Sequence, residues 1–349
     1  MLDYIIVGSG LAGISFAECC IQHQQKIRVF QSDLYQSSKV AGGLYNPVIL
    51  KRFTLAWKSE EHVAFALNFY QQLEDKLHRK MDHSLPLYRV FHDVAEQNDW
   101  FVSSDKPKLT DWLDSKIELN DNEAINAPFG LGKVLKTGYV DTKLLLDLYH
   151  AYLVQQQVID FSVFDYQSII FHKDGVEYKG YKAKHLVFAE GYGLKSNPFF
   201  GHLPLDGTKG EVLKIYAPAL NLKHIIKKQV FIVPLVDDFY RVGATYDWND
   251  KTEVPTESGK QELISGLKEI VKVPFEIVEH VAGVRPTVKD RKPMLGTHPN
   301  HKNLHVLNGM GTRGVLLAPN MAWDLFQCIQ FGTPLDAEVN ISRFKKLLW

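Results

Sequence analysis

Residues 2–31 read LDYIIVGSGLAGISFAECCIQHQQKIRVFQ, and their order decides the fold. Asp3–Val7 and Ile27–Gln31 have the composition of short buried strands, and Leu11 to Gln24 between them has helical spacing. Strand, helix, strand within about thirty residues is one βαβ unit, the opening of a doubly wound sheet. At the first strand-to-helix junction stands Gly8-Ser9-Gly10-Leu11-Ala12-Gly13. Gly8 permits the tight turn, Gly10 lets a pyrophosphate approach the backbone, and Gly13 lets the helix pack close to the strand. Leu11 and Ala12 then open a helix whose free N–H groups and positive dipole end suit phosphate. This spacing in this context predicts a bound dinucleotide.

An acidic residue usually closes the second strand of such a unit and holds the ribose hydroxyls. Here Gln31 takes that place, 23 residues after Gly8, with Asp33 two further on. An amide can hydrogen-bond a ribose without charge, or Gln31 can be a solvated strand end. Two later stretches bear on which dinucleotide binds. Ser37-Ser38-Lys39-Val40-Ala41-Gly42-Gly43-Leu44-Tyr45-Asn46-Pro47 reads as a small-residue loop able to run along a long extended cofactor, with Ser38, Gly42, Gly43 and Leu44 facing it. Near the other end, Gly309-Met310-Gly311-Thr312-Arg313-Gly314 precedes VLLAPNMAWDLF, again a strand, a glycine turn and a helix start. Reduced flavin carries negative charge near N1 and O2, and a helix N-terminus aimed there would stabilise it. Both stretches point to flavin rather than nicotinamide.

These residues also carry a family resemblance. The N-terminal turn, the SSKVAGGLYNP loop, the strand end Glu190-Gly191, AGVRPTVKDRKPMLG (282–296) and NGMGTRGVLLAP (308–319) resemble the D-amino-acid oxidase and glycine oxidase family of FAD-dependent amine oxidoreductases. Within it, residues 42–73, Gly243-Ala244-Thr245-Tyr246 and the MGTRG turn are most similar to the FAD domain of the bifunctional tRNA 5-methylaminomethyl-2-thiouridine biosynthesis enzyme. The resemblance implies FAD held without a covalent bond, and a substrate carboxylate on the arginine of the RP-x-x-x-D motif, here Arg285. The alternative for Arg285 is a structural ion pair with Asp290 or Glu211. The chain departs from glycine oxidases at Phe231, where they carry tyrosine, and at Thr312, where they carry a second arginine; Arg313 stands one place later. Tyr246 would restore the aromatic wall that Phe231 leaves less polar. No proton carrier is assigned, because hydride transfer from a neutral amine needs positioning more than acid–base chemistry.

The rest of the chain predicts how this site is housed. Helical periodicity covers 57–81, 142–156, 257–272 and 312–331. Strand-like segments stand at 87–92, 158–164, 168–172, 175–178, 185–189, 211–217, 229–235, 239–244, 275–284 and 303–308. No internal repeat or linker separates them, so the expected fold is α/β with interleaved domains. An FAD/NAD(P)-binding Rossmann-like domain would take 1–50, 134–205 and 280–349. An inserted α+β substrate domain on an antiparallel sheet would take 51–133 and 206–279.

Composition narrows the function. The 349 residues carry 40 Lys+Arg against 40 Asp+Glu, so no global field draws in nucleic acid, and RNA binding would need a local patch such as Lys51, Arg52 and Lys58. The three cysteines, Cys19, Cys20 and Cys328, have no metal-like spacing, and no metal is expected. His298 and His301, across a proline-containing loop, read as solvated. With no basic leader before the N-terminal apolar run and no membrane-length stretch, the expected location is the cytoplasm. The expected partners are a small-molecule amine and oxygen or another electron acceptor. Amine oxidation is the leading function; removal of a carboxymethyl group from an aminomethyl uridine in tRNA, and non-catalytic flavin binding, stand as alternatives.

Overall fold

The computed structural model describes residues 1–344. Two eight-stranded sheets organise it. The first has a parallel core in the order Ile159–Phe161, Ile27–Gln31, Leu2–Val7, Tyr181–Phe188. The last of these strands is shared: Ala183 faces Val176 of an antiparallel neighbour, while Leu186–Phe188 pair in parallel with Leu304–Val306. Leu2–Val7 is apolar throughout its second half because the sheet is covered on both sides. Tyr4 and Ile6 face the helices Leu11–Gln22 and Gly314–Phe331, where Phe16 and Phe326 pack. Ile5 and Val7 face a second cluster with Phe30, Phe164 and Phe188.

The second sheet runs Glu276–Arg285, Thr208–Tyr216, Phe239–Gly243, Phe231–Pro234, Ile225–Lys227, Leu87–Val90, Leu131–Val134, Leu113–Glu118. It is antiparallel except for one pair, Ile225–Lys227 running parallel to Leu87–Arg89.

Local chemistry sets several element ends differently from the sequence-based expectation. The helix expected over 57–81 spans Ser59–Leu77, bounded by Lys58 and His78, both left-handed. The last helix begins at Gly314, after a 3-10 turn at Gly311–Arg313. The small-residue stretch read as a loop holds a one-turn helix at Ser37–Val40. The strand expected over 168–172 is Ile170–His172, preceded by a 3-10 turn at Tyr166–Ser168. A helix at Val94–Ser104 lies outside the expected elements, although its cap is local in sequence: Asp93 accepts from the Glu96 N–H, and Glu96 accepts from the His92 N–H in return.

Pro319 lies inside the helix Gly314–Phe331 and cannot donate to the carbonyl of Val315 four residues back. The buried Tyr70 hydroxyl donates to that carbonyl instead, at 2.7 Å. This bond ties Ser59–Leu77 to Gly314–Phe331, the helix whose first turn faces the site.

Candidate active site

One cavity of about 580 Å³ is lined from both sheets, a size usual for ligand sites. It gathers Gly8, Gly10, Leu11, Ala12, Gln31, Ser38, Gly42, Gly43, Leu44, Gly191, Gly311, Thr312, Arg313 and Gly314 together with Phe231, Tyr246 and Arg285. Two expected site residues lie outside its wall. A Cβ on Gly13 would stand 1.9 Å from the Gly8 carbonyl oxygen, and one on Gly309 would stand 2.6 Å from Val288 Cγ2, so both serve close packing behind the wall.

The N-terminal end of the cavity presents donors. Gly8 has φ +93°, and a side chain there would meet the Ala189 carbonyl at 2.5 Å. Gly10 is the N-cap of Leu11–Gln22, extended and without a side-chain cap. The Leu11 N–H donates to Ser38 Oγ at 3.2 Å, whereas the Gly10 and Ala12 N–H groups take no acceptor among the described residues. Unsatisfied N–H groups at a helix start, beside glycines that keep the approach open, fit a pyrophosphate. At the strand end Gln31 Oε1 accepts from Ser9 N–H and Ser9 Oγ, each at 2.7 Å. Ser9 Oγ also lies 2.7 Å from Nε2 of His150, whose pKa burial pushes down. Ser9 and His150, both in the cavity wall, were missed in the sequence, since nothing local ties position 150 to position 9.

At the other end the ring of Phe231 sits between two glycines: a Cβ on Gly42 or Gly243 would fall 2.5 or 2.7 Å from its Cζ. Arg285 ends its strand with the guanidinium 4.5 Å over the Tyr246 ring, donating to the Lys209 and Thr245 carbonyls at 3.2 Å. No carboxylate pairs with it among the described residues. Asp290 is held by Arg343 at 2.9 Å, and Glu211 by His280 and Thr256, both at 2.7 Å. Burial holds the Arg285 pKa below the usual guanidinium value, opposed by Tyr246. Lys227, also in the wall, is pushed down to about 8 by burial, with Arg89 adding to it. Glu190, whose carboxylate accepts from Tyr166 at 2.6 Å and Asn197 at 2.8 Å, is pushed up to about 7 by burial.

Of the sequence's basic patch, Lys51 and Arg52 are exposed, while Lys58 is bound to Asp336 at 2.7 Å. Among the described residues no helix is long and apolar enough to cross a membrane.

Residues 3–327, nearly the whole chain, match the family described as DAO, FAD dependent oxidoreductase. The chain belongs to this family. FAD is therefore the cofactor that the glycine cradle at residues 8–12 fits. Among curated relatives, glycine oxidase of Bacillus subtilis (strain 168) is 26% identical over 222 residues, covering 59% of this chain and 58% of the relative. The tRNA 5-methylaminomethyl-2-thiouridine biosynthesis bifunctional protein MnmC of Azoarcus sp. (strain BH72) is 27% identical over 173 residues, 44% of this chain and 27% of that protein. The chain thus spans less than two thirds of the length of these relatives. A solved glycine oxidase from Bacillus cereus ATCC 14579 superposes with a TM-score of 0.77 at 20% identity, over 100% of this chain and 99% of that one. At that identity the likeness is one of fold.

Proposed function

We propose that the protein oxidises the C–N bond of an amine that bears a carboxylate, and that Arg285 receives that carboxylate. The observation that supports this reading is a desolvated guanidinium in the cavity wall with no acidic partner among the described residues. A buried cation without a counter-ion is costly, and a planar fork matches a carboxylate bidentately. Oxidation removes a hydride from the carbon next to a neutral amine nitrogen, and water then hydrolyses the imine to a carbonyl compound and an amine. When bound, FAD supplies the acceptor for that hydride. The residues Gly8–Ala12, Ser38 and Gly42–Leu44 would hold it, and the turn Gly311–Gly314 would present a helix N-terminus to its ring end.

The chain's own part is orientation. Arg285 fixes the carboxylate and so the carbon beside it, Tyr246 braces the guanidinium from its open side, and Phe231, confined between Gly42 and Gly243, closes the wall against water. Anaerobic addition of amino acids and secondary amines to the FAD-loaded protein tests this. Carboxylated amines should bleach the flavin absorbance, and amines without a carboxylate should not. Bleaching by simple amines at the same efficiency would remove the basis for the reading.

A further inference from the structure

The side chain at the strand end that usually serves the cofactor's ribose is already engaged. An acid in that place accepts from the ribose hydroxyls, but Gln31 Oε1 accepts from Ser9 N–H and Ser9 Oγ–H, each at 2.7 Å, so both its lone pairs are used. His150 holds the serine in this arrangement. Its Nε2 lies 3.0 Å from the Ser9 carbonyl, which can only accept, so Nε2 carries the proton and donates to Ser9 Oγ as well, at 2.7 Å. The Gln31 amide nitrogen donates to the Ser32 carbonyl. What remains on Gln31 is one N–H, which cannot receive a hydroxyl proton.

An acid stands on the other side of the glycine turn. The Gly8 N–H donates to the Phe30 carbonyl at 2.8 Å, and the Ala189 N–H donates to the Val7 carbonyl at 2.7 Å. Those bonds set Gln31, Gly8 and Glu190 in line at the ends of three neighbouring strands, and Glu190 Cα lies 3.2 Å from where a Cβ on Gly8 would stand. Among the described residues lining the cavity, Glu190 is the single acid. Tyr166, from the segment that follows Ile159–Phe161, donates to its Oε1 at 2.6 Å, and Asn197 donates to its Oε2 at 2.8 Å. A carboxylate accepts about four hydrogen bonds, so about half of that capacity is unused among the described residues. Tyr35 and Phe164, also in the wall, stand beside Glu190 and Tyr166 and offer ring surface to a base.

We propose that Glu190, and not Gln31, accepts the hydrogen bonds of the ribose hydroxyls in the adenosine half of FAD, with Tyr166 and Asn197 aiming its carboxylate. The assignment concerns the cofactor and is independent of which amine is oxidised.

Titration of the full-length apoprotein with FAD and with its analogue lacking both hydroxyls of the adenosine ribose tests this. Wild type should bind FAD about tenfold or more tightly than the analogue, the range for hydrogen bonds to a charged group. Glu190→Gln should bring that ratio to near one, and Glu190→Asp, which keeps the charge, should keep part of it. Gln31→Leu should weaken both ligands alike and leave the ratio in place. A pH series supplies a second readout. Hydroxyl donors favour the ionised carboxylate, whose pKa burial raises to about 7, so the Kd for FAD should fall about tenfold from pH 6 to pH 8, and Glu190→Gln should flatten that slope. The ionisable groups around Glu190 are the phenols of Tyr166, Tyr35 and Tyr192, while Lys195 on the adjoining turn donates to the Gly201 carbonyl at 3.0 Å.

A ratio near one in wild type would overturn the proposal. A ratio that survives Glu190→Gln but is lost in Gln31→Leu would return the ribose to Gln31. Equal weakening of FAD and the analogue in Glu190→Gln would make Glu190 a structural residue, and FAD affinity that rises as pH falls would make it a donor; either overturns the assignment.

Discussion

The Arg285 guanidinium lies 4.5 Å over the ring of Tyr246 and, among the described residues, has no carboxylate to pair with, although Asp290 and Glu211 stand close in sequence or in sheet register. The space this requires is built into the neighbouring strand. A Cβ on Gly210 would fall 1.9 Å from Arg285 Nη2, so only glycine leaves room for the side chain. A cation held in place by main-chain carbonyls and a ring keeps part of its donor set for a ligand.

Arg285→Ala should leave FAD bound and the fold intact while cutting kcat/KM for carboxylated amines by about 100-fold or more, the range for loss of a desolvated charge partner. Arg285→Lys should recover part, because a point charge cannot reproduce the fork. Steady-state kinetics with amines of matched shape, with and without the carboxylate, checks this; a uniform loss on all amines would make Arg285 structural. In the same assay, a modified tRNA substrate would be marked by steep salt dependence.

Gly10→Val should abolish FAD binding. Even a Cβ there would come 2.9 Å from Ser38 Oγ, and the branched side chain would occupy the approach to the uncapped helix start. Flavin fluorescence after gel filtration measures the loss; retention of yellow colour would refute the cradle.

Gln31→Glu should hold or tighten FAD, because a carboxylate still accepts from Ser9 and can accept ribose hydroxyls more strongly. Gln31→Leu should weaken it about tenfold, since Ser9 N–H and O–H lose their acceptor. Titration of the apoprotein with FAD distinguishes these outcomes.

Tyr70→Phe should lower stability by about 1–3 kcal/mol, the cost of leaving the buried Val315 carbonyl without a donor. Pro319→Ala in the same background should restore part of it by returning the helical N–H. Denaturant melts of the four proteins in this double-mutant cycle give the coupling directly.

Glu190 sets a pH dependence. Its pKa is raised from 4.5 to about 7, so between those values the folded state holds more protons than the unfolded state. Stability should therefore be greatest below about pH 4.5 as far as this group is concerned, and fall as pH rises toward 7, by up to roughly 3 kcal/mol. Urea melts of the apoprotein from pH 5 to 8 should show that slope, and Glu190→Gln should flatten it.

The sequence by itself determined the nucleotide end of this protein. The strand Leu2–Val7, the turn at Gly8 and the uncapped helix from Leu11 follow from glycine spacing and apolar runs, which act over a few residues and need no distant partner. The parallel sheet around them followed from the same βαβ pattern. Element ends were less legible where a left-handed residue such as Lys58 or His78, or a 3-10 turn such as Gly311–Arg313, decided them. Only tertiary structure decided the substrate end. Whether Arg285 meets Asp290, Glu211 or nothing depends on Arg343 and His280, which reach those acids from elsewhere in the chain. Lys227 and Arg313 share a cavity with Arg285 because three elements of different register converge there. Electrostatic pairing is set by distance and desolvation in the folded state, and spacing along the chain encodes neither.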